Sequence, residues 1–183
     1  MFLVICMVGG EKVRLTPRNR LIVGISLLGF FLMTIWFAPR VLFLNLFRSI
    51  PRGLNLRVPL GTVKVGETVA YMPTDDVVML MREREWIADG QEPLPFLKYI
   101  GGLPGDSFSA QGHRFFINGK YVGEILDADI KGQALPQLRG EHEIQEWEFL
   151  PLASNPNGFD GRYTGCVPFN RIIAKVVPVW VVD

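Results

Sequence analysis

A single serine lies between an arginine and an Ile-Pro pair in the segment FRSIPRG, residues 47–53. A serine hydroxyl becomes a good nucleophile only when a neighbouring base removes its proton. No residue within the segment is such a base. Ser49 is therefore either a nucleophile served by a distant residue or the polar residue of a turn, and the base has to be sought elsewhere in the chain.

Histidine is the usual base for a catalytic serine, and the chain contains two, His113 and His142. His113 lies in QGHRFFING, just before a predicted hairpin, and His142 lies in the charged segment RGEHEIQ. Both contexts are typical of surface histidines. The sequence therefore argues against a Ser-His-Asp triad.

A buried lysine is the alternative base, because an apolar environment lowers the pKa of its amine and leaves part of it neutral. Lys98 stands in PLPFLKYIGGLPGD, flanked by Leu97 and Tyr99 in a segment typical of a strand. An edge-strand lysine that discourages strand pairing explains the local sequence about equally well. The rigid exit rich in glycine and proline, up to Asp106, favours the buried base.

Three segments resemble, in order and spacing, the sequence boxes of the type I signal peptidases. The similarity is closest to the conjugative-transfer (TraF-type) branch, whose members process pilin precursors. The lysine segment is the most specific of the three. The segments are SIPRGL at 49–54, KYIGGLPGD at 98–106 and FDGRYTGCVPFNRIIAKVVPVW at 159–180.

The resemblance implies a serine endopeptidase in which Ser49 is the nucleophile and Lys98 the general base. Asp160 and Arg162 then form a supporting ion pair, for which a purely structural salt bridge is at least an equal alternative. The implied partner is an exported precursor with an apolar leader peptide, such as a pilin precursor, and no metal or cofactor is needed. The alternatives are a catalytically impaired structural component of a conjugation or secretion apparatus and a soluble self-cleaving regulator.

Two positions depart from the family pattern. Phe47 stands two residues before the nucleophile, where the family often has a serine or threonine that contributes to the oxyanion hole. Loss of one oxyanion donor costs ~100-fold or more in rate, and the N–H of Ser49 remains as the main expected donor. Gly158 stands where the family often has a serine that orients the lysine. Both departures favour the impaired alternative.

The elements that must position these residues begin with an apolar segment. Residues 21–38 contain no charged side chain, and a spanning helix needs about 20 mainly apolar residues. We predict a tail over 1–20, a transmembrane helix over 21–38 and a peptidase domain over 39–183. A buried core helix and a cleaved signal peptide are the alternatives, although a signal peptide has a shorter apolar region that ends at a small-residue cleavage site.

The positive residues do not decide which way this helix crosses, because four precede it and four follow it closely. The resemblance implies a cytoplasmic tail, a single pass through the inner membrane and a periplasmic peptidase domain in contact with membrane lipid. Ser49 lies eleven residues after the predicted span, which keeps it within about 40 Å of the bilayer.

The overall charge and the cysteine content exclude other classes of function. The net charge is +1 and no basic cluster follows the apolar segment, so nucleic-acid binding has no support. Cys6 and Cys166 are the two cysteines and fall on opposite sides of the predicted span, which rules out a disulfide between them. Two isolated cysteines also argue against a zinc site.

After residue 40, short β-branched and aromatic runs alternate with turn residues and predict a mainly β, antiparallel domain. Asn118-Gly119 in FFINGKYVGE is the strongest hairpin signal, because a type I′ turn requires positive φ at both central residues. We interpret 81–95 as a loop or hairpin extension and 127–145 as irregular structure. The predicted strands are 62–71, 77–81, 96–101, 113–117, 120–124, 146–150 and 171–182.

Overall fold

The computed structural model describes residues 5–8, 11–14, 16–45 and 49–182. The chain divides into two compact units, Met1–Val41 and Leu42–Asp183. The expectation for Phe47 falls outside the described residues.

The first unit contains a β-hairpin and a long helix. Strands β1 (Ile5–Val8) and β2 (Glu11–Arg14) pair antiparallel, and helix α1 follows as Pro17–Val41. Its Pro17–Ala38 portion has a mean hydropathy of 2.3 and no buried residues, and it is long and apolar enough to cross a membrane. The segment predicted to span lies inside this helix.

The second unit contains the remaining elements. Its two helices are α2 (Asp75–Glu83) and the short α3 (Gly161–Thr164). Its strands are β3 (Leu42–Asn45), β4 (Arg52–Val58), β5 (Thr68–Tyr71), β6 (Phe96–Gly102), β7 (Ser107–Gln111), β8 (Arg114–Ile117), β9 (Lys120–Glu124), β10 (Gly140–Glu143), β11 (Glu148–Leu152), β12 (Val167–Pro168) and β13 (Ile172–Val182).

Two sheets organise these strands, and each described strand pair in them is antiparallel. One sheet has the order β12-β11-β6-β5-β13-β4-β3, and the other has the order β10-β7-β8-β9. The predicted fold class, a mainly antiparallel β domain after an N-terminal apolar helix, is confirmed.

Each sheet has its own buried cluster. The cluster under the larger sheet contains Val69, Tyr71 and Phe149, and the ring of Tyr71 meets that of Phe149 edge-on at 5.5 Å. The cluster under the smaller sheet is centred on Phe108 and Phe115. Burial of such aromatic side chains is the main source of stability for both sheets.

The predicted Asn-Gly hairpin is confirmed. It joins β8 to β9, and φ is +49° at Asn118 and +72° at Gly119. The side chain of Asn118 also accepts a hydrogen bond from the N–H of Ser107 and donates one to Asp106. The turn is thereby tied to the segment that leaves β6.

The strand predicted over 77–81 is wrong, because these residues lie in helix α2. Val77 and Met81 are buried, and their spacing of four residues places them on one helical face. Asp75 and Asp76 occupy the first turn, where the helix dipole favours negative charge. β-branched and apolar residues alone do not distinguish a short buried helix from a strand.

Other predicted strands differ from the observed ones in their bounds, because turns interrupt them. The strand predicted over 62–71 is formed only by Thr68–Tyr71, because Gly66 has φ +87° and Lys64 begins a turn that Glu67 closes. The segment interpreted as irregular, 127–145, contains β10. Strand β4 was not predicted, since Arg and Asn interrupt its apolar pattern.

Candidate active site

Lys98 lies in the middle of β6, a strand in the interior of the larger sheet. β6 pairs with β5 on one side, where Lys98 is opposite Val69, and with β11 on the other. The side chain of Lys98 is on the buried face with Ile100 and is only 3 % exposed. The edge-strand interpretation of this lysine is therefore wrong.

Ser49 lies in the turn between β3 and β4, and the side chain of Asn45 holds this turn. Asn45 is 1 % exposed, and its Nδ2 donates hydrogen bonds of 3.1 Å to the carbonyls of Ile50 and Pro51. The side chain of Ile50 is itself buried. The backbone after Ser49 is therefore fixed by a buried amide and by packing.

A glycine allows the turn to lead directly into β4. Gly53 has φ +147°, and a Cβ atom built on it would lie 1.9 Å from the carbonyl oxygen of Trp180 on β13. No other residue type fits this close approach of two strands. The position of Ser49 therefore depends on Gly53, four residues later in the chain.

The carbonyl of Ser49 is held from the opposite side by Ser154. The N–H of Ser154 donates to this carbonyl at 2.8 Å, and the hydroxyl of Ser154 lies 3.3 Å from it. Ser154 belongs to the loop between β11 and α3. Two chain segments more than one hundred residues apart thus fix one peptide unit.

The amine of Lys98 reaches this turn. Its Nζ lies 2.9 Å from Oγ of Ser49, a distance typical of a good hydrogen bond. Burial lowers the pKa of Lys98 to about 8, while Asp160 raises it and Arg162 lowers it through their charges. At pH 7 about a tenth of the amine is then neutral and able to accept a proton.

Asp160 and Arg162 form a buried ion pair beside the Ser49–Lys98 contact. Nε and one terminal nitrogen of Arg162 lie 2.9 and 3.0 Å from the two carboxylate oxygens of Asp160. The Asp160 carboxylate also caps α3 through the N–H of Arg162 and accepts the N–H of Ala153. The pair therefore connects α3 to the residue that precedes Ser154.

The remaining donors of Arg162 organise the loop between β11 and α3. Its terminal nitrogens donate to the carbonyls of Asn155, Pro156 and Gly158. One of them also donates to the backbone carbonyl of Glu124 on β9. Every arm of the guanidinium thus has a partner, as a buried charge requires.

Gly158 leaves no room for the serine that occurs at this position in the family. A Cβ atom on Gly158 would lie 2.5 Å from the Cβ of Ala153 and 3.1 Å from the carbonyl oxygen of Asn155. The side chain of Ala153 and the backbone of Asn155 occupy the space that a side chain at 158 would need. This departure is therefore built into the local packing.

An apolar cleft of about 310 Å³ opens at the Ser49–Lys98 contact. Its walls come from β6, from the end of α2 and the loop after it, and from the segment before Asp160. The cleft is large enough for parts of an extended peptide. Its lining residues include Met81, Trp86, Leu94, Leu97 and Phe159.

The structure brings together the four residues predicted for the site and leaves the histidines outside it. His113 lies 3.6 Å from Asp127 on the surface, and His142 is exposed, so the prediction of surface histidines is confirmed. Cys166 is a free cysteine. Within the described ranges, no cluster of three His, Cys, Asp or Glu side chains could hold a metal ion.

Sequence reasoning missed Asn45 and Ser154, which hold the turn that carries Ser49. A usable signal existed for Asn45, since it is the polar residue in the otherwise apolar segment VLFLNLF. Nothing in the local sequence marks Ser154, because its partner is distant in the chain.

Two known proteins are similar to parts of this chain. The chain is 28 % identical over 92 residues to a signal peptidase I of Bacillus caldolyticus, a match that covers 44 % of this chain and 50 % of that protein. The chain thus spans about half the length of that relative. A crystal structure of a signal peptidase I from Enterococcus faecalis V583 is similar over 64 % of this chain and 99 % of that one, with 16 % identity and a TM-score of 0.38.

A family model for signal peptidase, peptidase S26, matches residues 16–181. This range includes the apolar helix, the Ser49 turn, β6 and the Asp160–Arg162 pair. The chain therefore belongs to the signal peptidase family, peptidase S26.

Proposed function

We propose that this protein is a membrane-anchored serine endopeptidase that removes leader peptides from exported precursors through a Ser49–Lys98 dyad. The single observation that carries the proposal is the 2.9 Å contact between Nζ of Lys98 and Oγ of Ser49. It joins the one buried lysine among the described residues to a serine on a fixed turn. Burying a charged ammonium group costs free energy. A purely structural hydrogen bond to Ser49 would not need a lysine, so the burial of Lys98 favours a chemical role.

In the proposed reaction, neutral Lys98 takes the proton of the Ser49 hydroxyl as Oγ attacks the scissile carbonyl carbon. The Lys98 ammonium then gives this proton to the nitrogen of the departing peptide, and an ester to Ser49 remains. Lys98 next takes a proton from the water that attacks the ester, and it returns this proton to Oγ of Ser49 as the ester C–O bond breaks and the acyl product leaves. One lysine with a pKa near neutrality serves both half-reactions.

The N–H of Ser49 is the proposed donor to the oxyanion. Hydrogen bonds to the carbonyls of Ser49, Ile50 and Pro51 fix the peptide units around the nucleophile. A donor that is held in place before the reaction stabilises the developing charge without reorganisation. Asn45 and Ser154 are positioning residues in this proposal, because they act on the backbone of the nucleophile.

Asp160 and Arg162 support the dyad in the proposal by holding the loop that carries Ser154. Their charges act on the pKa of Lys98 in opposite directions, and the raising effect of Asp160 is larger than the lowering effect of Arg162. Burial remains the dominant cause of the lowered pKa of Lys98.

The proposed location is the inner membrane, with one pass and the peptidase domain in the periplasm. Helix α1 supports the anchor. An exposed apolar row supports contact with lipid, since Leu44, Leu54 and Trp180 lie side by side on β3, β4 and β13. Leu44 and Trp180 are 65 % and 63 % exposed. A precursor held by its own apolar leader would meet the site close to the bilayer.

The proposed substrate is a pilin precursor of a conjugation system, and its cleavage is directly testable. The precursor is co-expressed with the wild-type protein, with Ser49→Ala and with Lys98→Ala, and its size is followed on immunoblots. We expect processing by the wild type and loss of processing in both variants. Lys120→Ala, which truncates an exposed lysine on β9 outside the site, is the matched control and should retain the activity.

Processing that persists in both dyad variants would disprove the dyad. Absence of processing by the wild-type protein for every exported precursor of the host would favour a structural component instead. The crowding at Gly158 is the observation that favours this second candidate, since it removes a hydroxyl that the family often has near the lysine.

A further inference from the structure

The segment that joins α2 to β6, residues 85–95, forms one wall of the cleft at the Ser49–Lys98 contact. None of its residues is buried, and Leu94 is 61 % exposed although it lines the cleft. The wall on this side of the cleft is therefore not part of either buried cluster. The side chains that line the cleft from this segment are Trp86, Ile87, Gln91, Leu94 and Pro95.

The backbone of this segment makes few hydrogen bonds. The N–H of Trp86 donates to the carbonyl of Met81 at the end of α2. Within the described residues, the backbone hydrogen bonds of 87–94 are confined to a turn in which Ala88 and Gln91 bind each other. Segments with few buried groups and few backbone hydrogen bonds open at a low free-energy cost. The structure of this segment therefore favours local opening.

The segment begins at a residue with an uncommon backbone conformation. Glu85 has φ +54° and follows the residue that caps α2 at its C-terminus, Arg84. Glycine is the usual residue at a left-handed position after a helix, because it has no Cβ. A glutamate at this position favours the observed conformation less than a glycine would. Rotation about Glu85 moves the segment relative to α2, so Glu85 is suited to be a hinge.

The side chain of Trp86 fastens the segment to the rest of the unit. Its ring meets that of Phe159 edge-on, with centroids 5.0 Å apart. Its indole donates a hydrogen bond to the carboxylate of Asp129. That carboxylate also accepts the N–H groups of Lys131 and Gln133, which fix its position in the loop after β9. A weakly bonded segment is thus held by one aromatic side chain next to its first residue.

We propose that residues 85–95 form a lid that opens to admit the precursor and closes over the Ser49–Lys98 contact, with the hydrogen bond from Trp86 to Asp129 as its latch. The inference rests on the proposed function, which supplies the polypeptide that the lid covers. A precursor continues on both sides of its cleaved bond, so it cannot be threaded into the cleft by one end. A movable wall allows it to be laid in from the side, and closure then excludes water from the site.

The test uses chymotrypsin, which cleaves after aromatic side chains that can enter its apolar pocket. In the closed lid the ring of Trp86 lies against Phe159, so the Trp86–Ile87 bond is protected. Full-length protein in detergent is treated with a small amount of chymotrypsin, and mass spectrometry follows cleavage at this bond. The rate reports the population of the open lid, because opening and closing are fast relative to cleavage.

Asp129→Asn weakens the latch with a minimal change of shape. One oxygen remains for the N–H groups of Lys131 and Gln133, whereas the indole loses its charged acceptor. We expect the Trp86–Ile87 bond to be cleaved about fivefold faster than in the wild type. Asp127→Asn is the matched control on the same loop. The carboxylate of Asp127 is 75 % exposed and lies near His113, so this variant should be cleaved at the wild-type rate.

Trp86→Phe removes the other partner of the latch. It keeps an aromatic ring for chymotrypsin and for Phe159 but has no indole N–H. It should be cleaved as fast as Asp129→Asn, and the double variant should be no faster than either, because both changes remove one interaction. A general loosening of the loop after β9 by Asp129→Asn would instead add to the effect of Trp86→Phe and would overturn the latch.

Closure over the substrate is tested with the Ser49→Ala variant and a leader peptide built from Ala, Val, Ile and polar residues, which chymotrypsin does not cleave. Fluorescence polarisation of the labelled peptide measures its binding independently. Saturating peptide should slow cleavage after Trp86 about fivefold. Cleavage after Trp147, which is 62 % exposed and lies outside the cleft, is the internal control and should not change.

Each failure has a separate reading. Equal cleavage after Trp86 in the wild type and in Asp129→Asn overturns the latch and with it the lid. Cleavage that bound peptide does not slow shows that the segment does not close over the substrate, which also overturns the lid. A peptide that does not bind overturns the proposed function, and the comparison of the latch variants, which needs no substrate, is read apart from that result.

Discussion

Strand β6, which carries Lys98, determines the environment of its amine. β6 is covered on both edges, so the side chain of Lys98 has no route to bulk water along the sheet. Burial lowers its pKa to about 8 against the opposing effect of Asp160. The residue is thus poised to exchange a proton near neutral pH, and a surface lysine would not be.

The first prediction concerns the pH dependence of cleavage. In the proposed reaction neutral Lys98 is the active form. Because its pKa is about 8, kcat/KM should rise about tenfold per pH unit below pH 7.5 and level off above about pH 9. The sign follows from the base, since a higher pH removes the proton that blocks it. The measurement is kcat/KM for a quenched peptide from pH 5.5 to 9.5.

The control is to measure whether the protein stays folded over the same pH range. Tryptophan fluorescence of the Ser49→Ala variant, which we expect to be inactive, reports this. Unfolding that coincides with the loss of activity would remove the assignment to Lys98. A profile that is flat between pH 6 and pH 9 would show that no group with a pKa of about 8 controls the reaction.

At the scale of elements, the loop between β11 and α3 positions Ser49, the proposed nucleophile, from outside its own turn. The N–H of Ala153 donates to the carboxylate of Asp160, and the N–H of Ser154 donates to the carbonyl of Ser49. Arg162 donates to three carbonyls later in the loop. The loop is therefore set by one buried ion pair.

The second prediction is that Gly158→Ser destabilises the protein. The new Cβ would lie 2.5 Å from that of Ala153, and overpacking of this kind costs about 1–3 kcal/mol. For a chain of this size we expect the melting temperature to fall by about 2–12 °C. The measurement is thermal unfolding of the detergent-solubilised protein.

A double-mutant cycle tests the named contact. Ala153→Gly removes the Cβ that Gly158→Ser would strike, so the double variant should melt above the Gly158→Ser variant. Distant substitutions add, and contacting ones do not. If Gly158→Ser lowers the melting temperature equally in the wild-type and Ala153→Gly backgrounds, this clash is not the cause.

The sequence was sufficient for elements whose signals are local. Asn118-Gly119 predicted its hairpin because the turn itself demands positive φ, and the apolar neighbours of Lys98 predicted its burial. Helix α2 was missed because Val77 and Met81 fit a short strand as well as one face of a helix. Ser154 was missed because its role rests on a contact with Ser49. The two residues are far apart in the sequence, and only the folded sheets bring them together.

At the scale of the whole molecule, the question is on which side of the membrane the β unit that follows the apolar helix lies. The four basic residues before residue 21 and the four that closely follow residue 38 give no orientation. The family is membrane-associated, and precursors with leader peptides are processed where the leader leaves the bilayer. This reasoning supports a periplasmic position for the unit that contains Ser49.

The third prediction follows from that orientation. Bacterial alkaline phosphatase folds to its active form only where its disulfides can form, outside the cytoplasm. Fused after Asp183, it should therefore be active, while a fusion after Thr16, before helix α1, should be inactive. Green fluorescent protein fused at the same two positions is the complementary control, since it should fluoresce only at Thr16. An inactive phosphatase together with a fluorescent protein at Asp183 would place the β unit in the cytoplasm, where Ser49 could not meet an exported leader, and the proposed substrate class would have to be abandoned even if the dyad proved active.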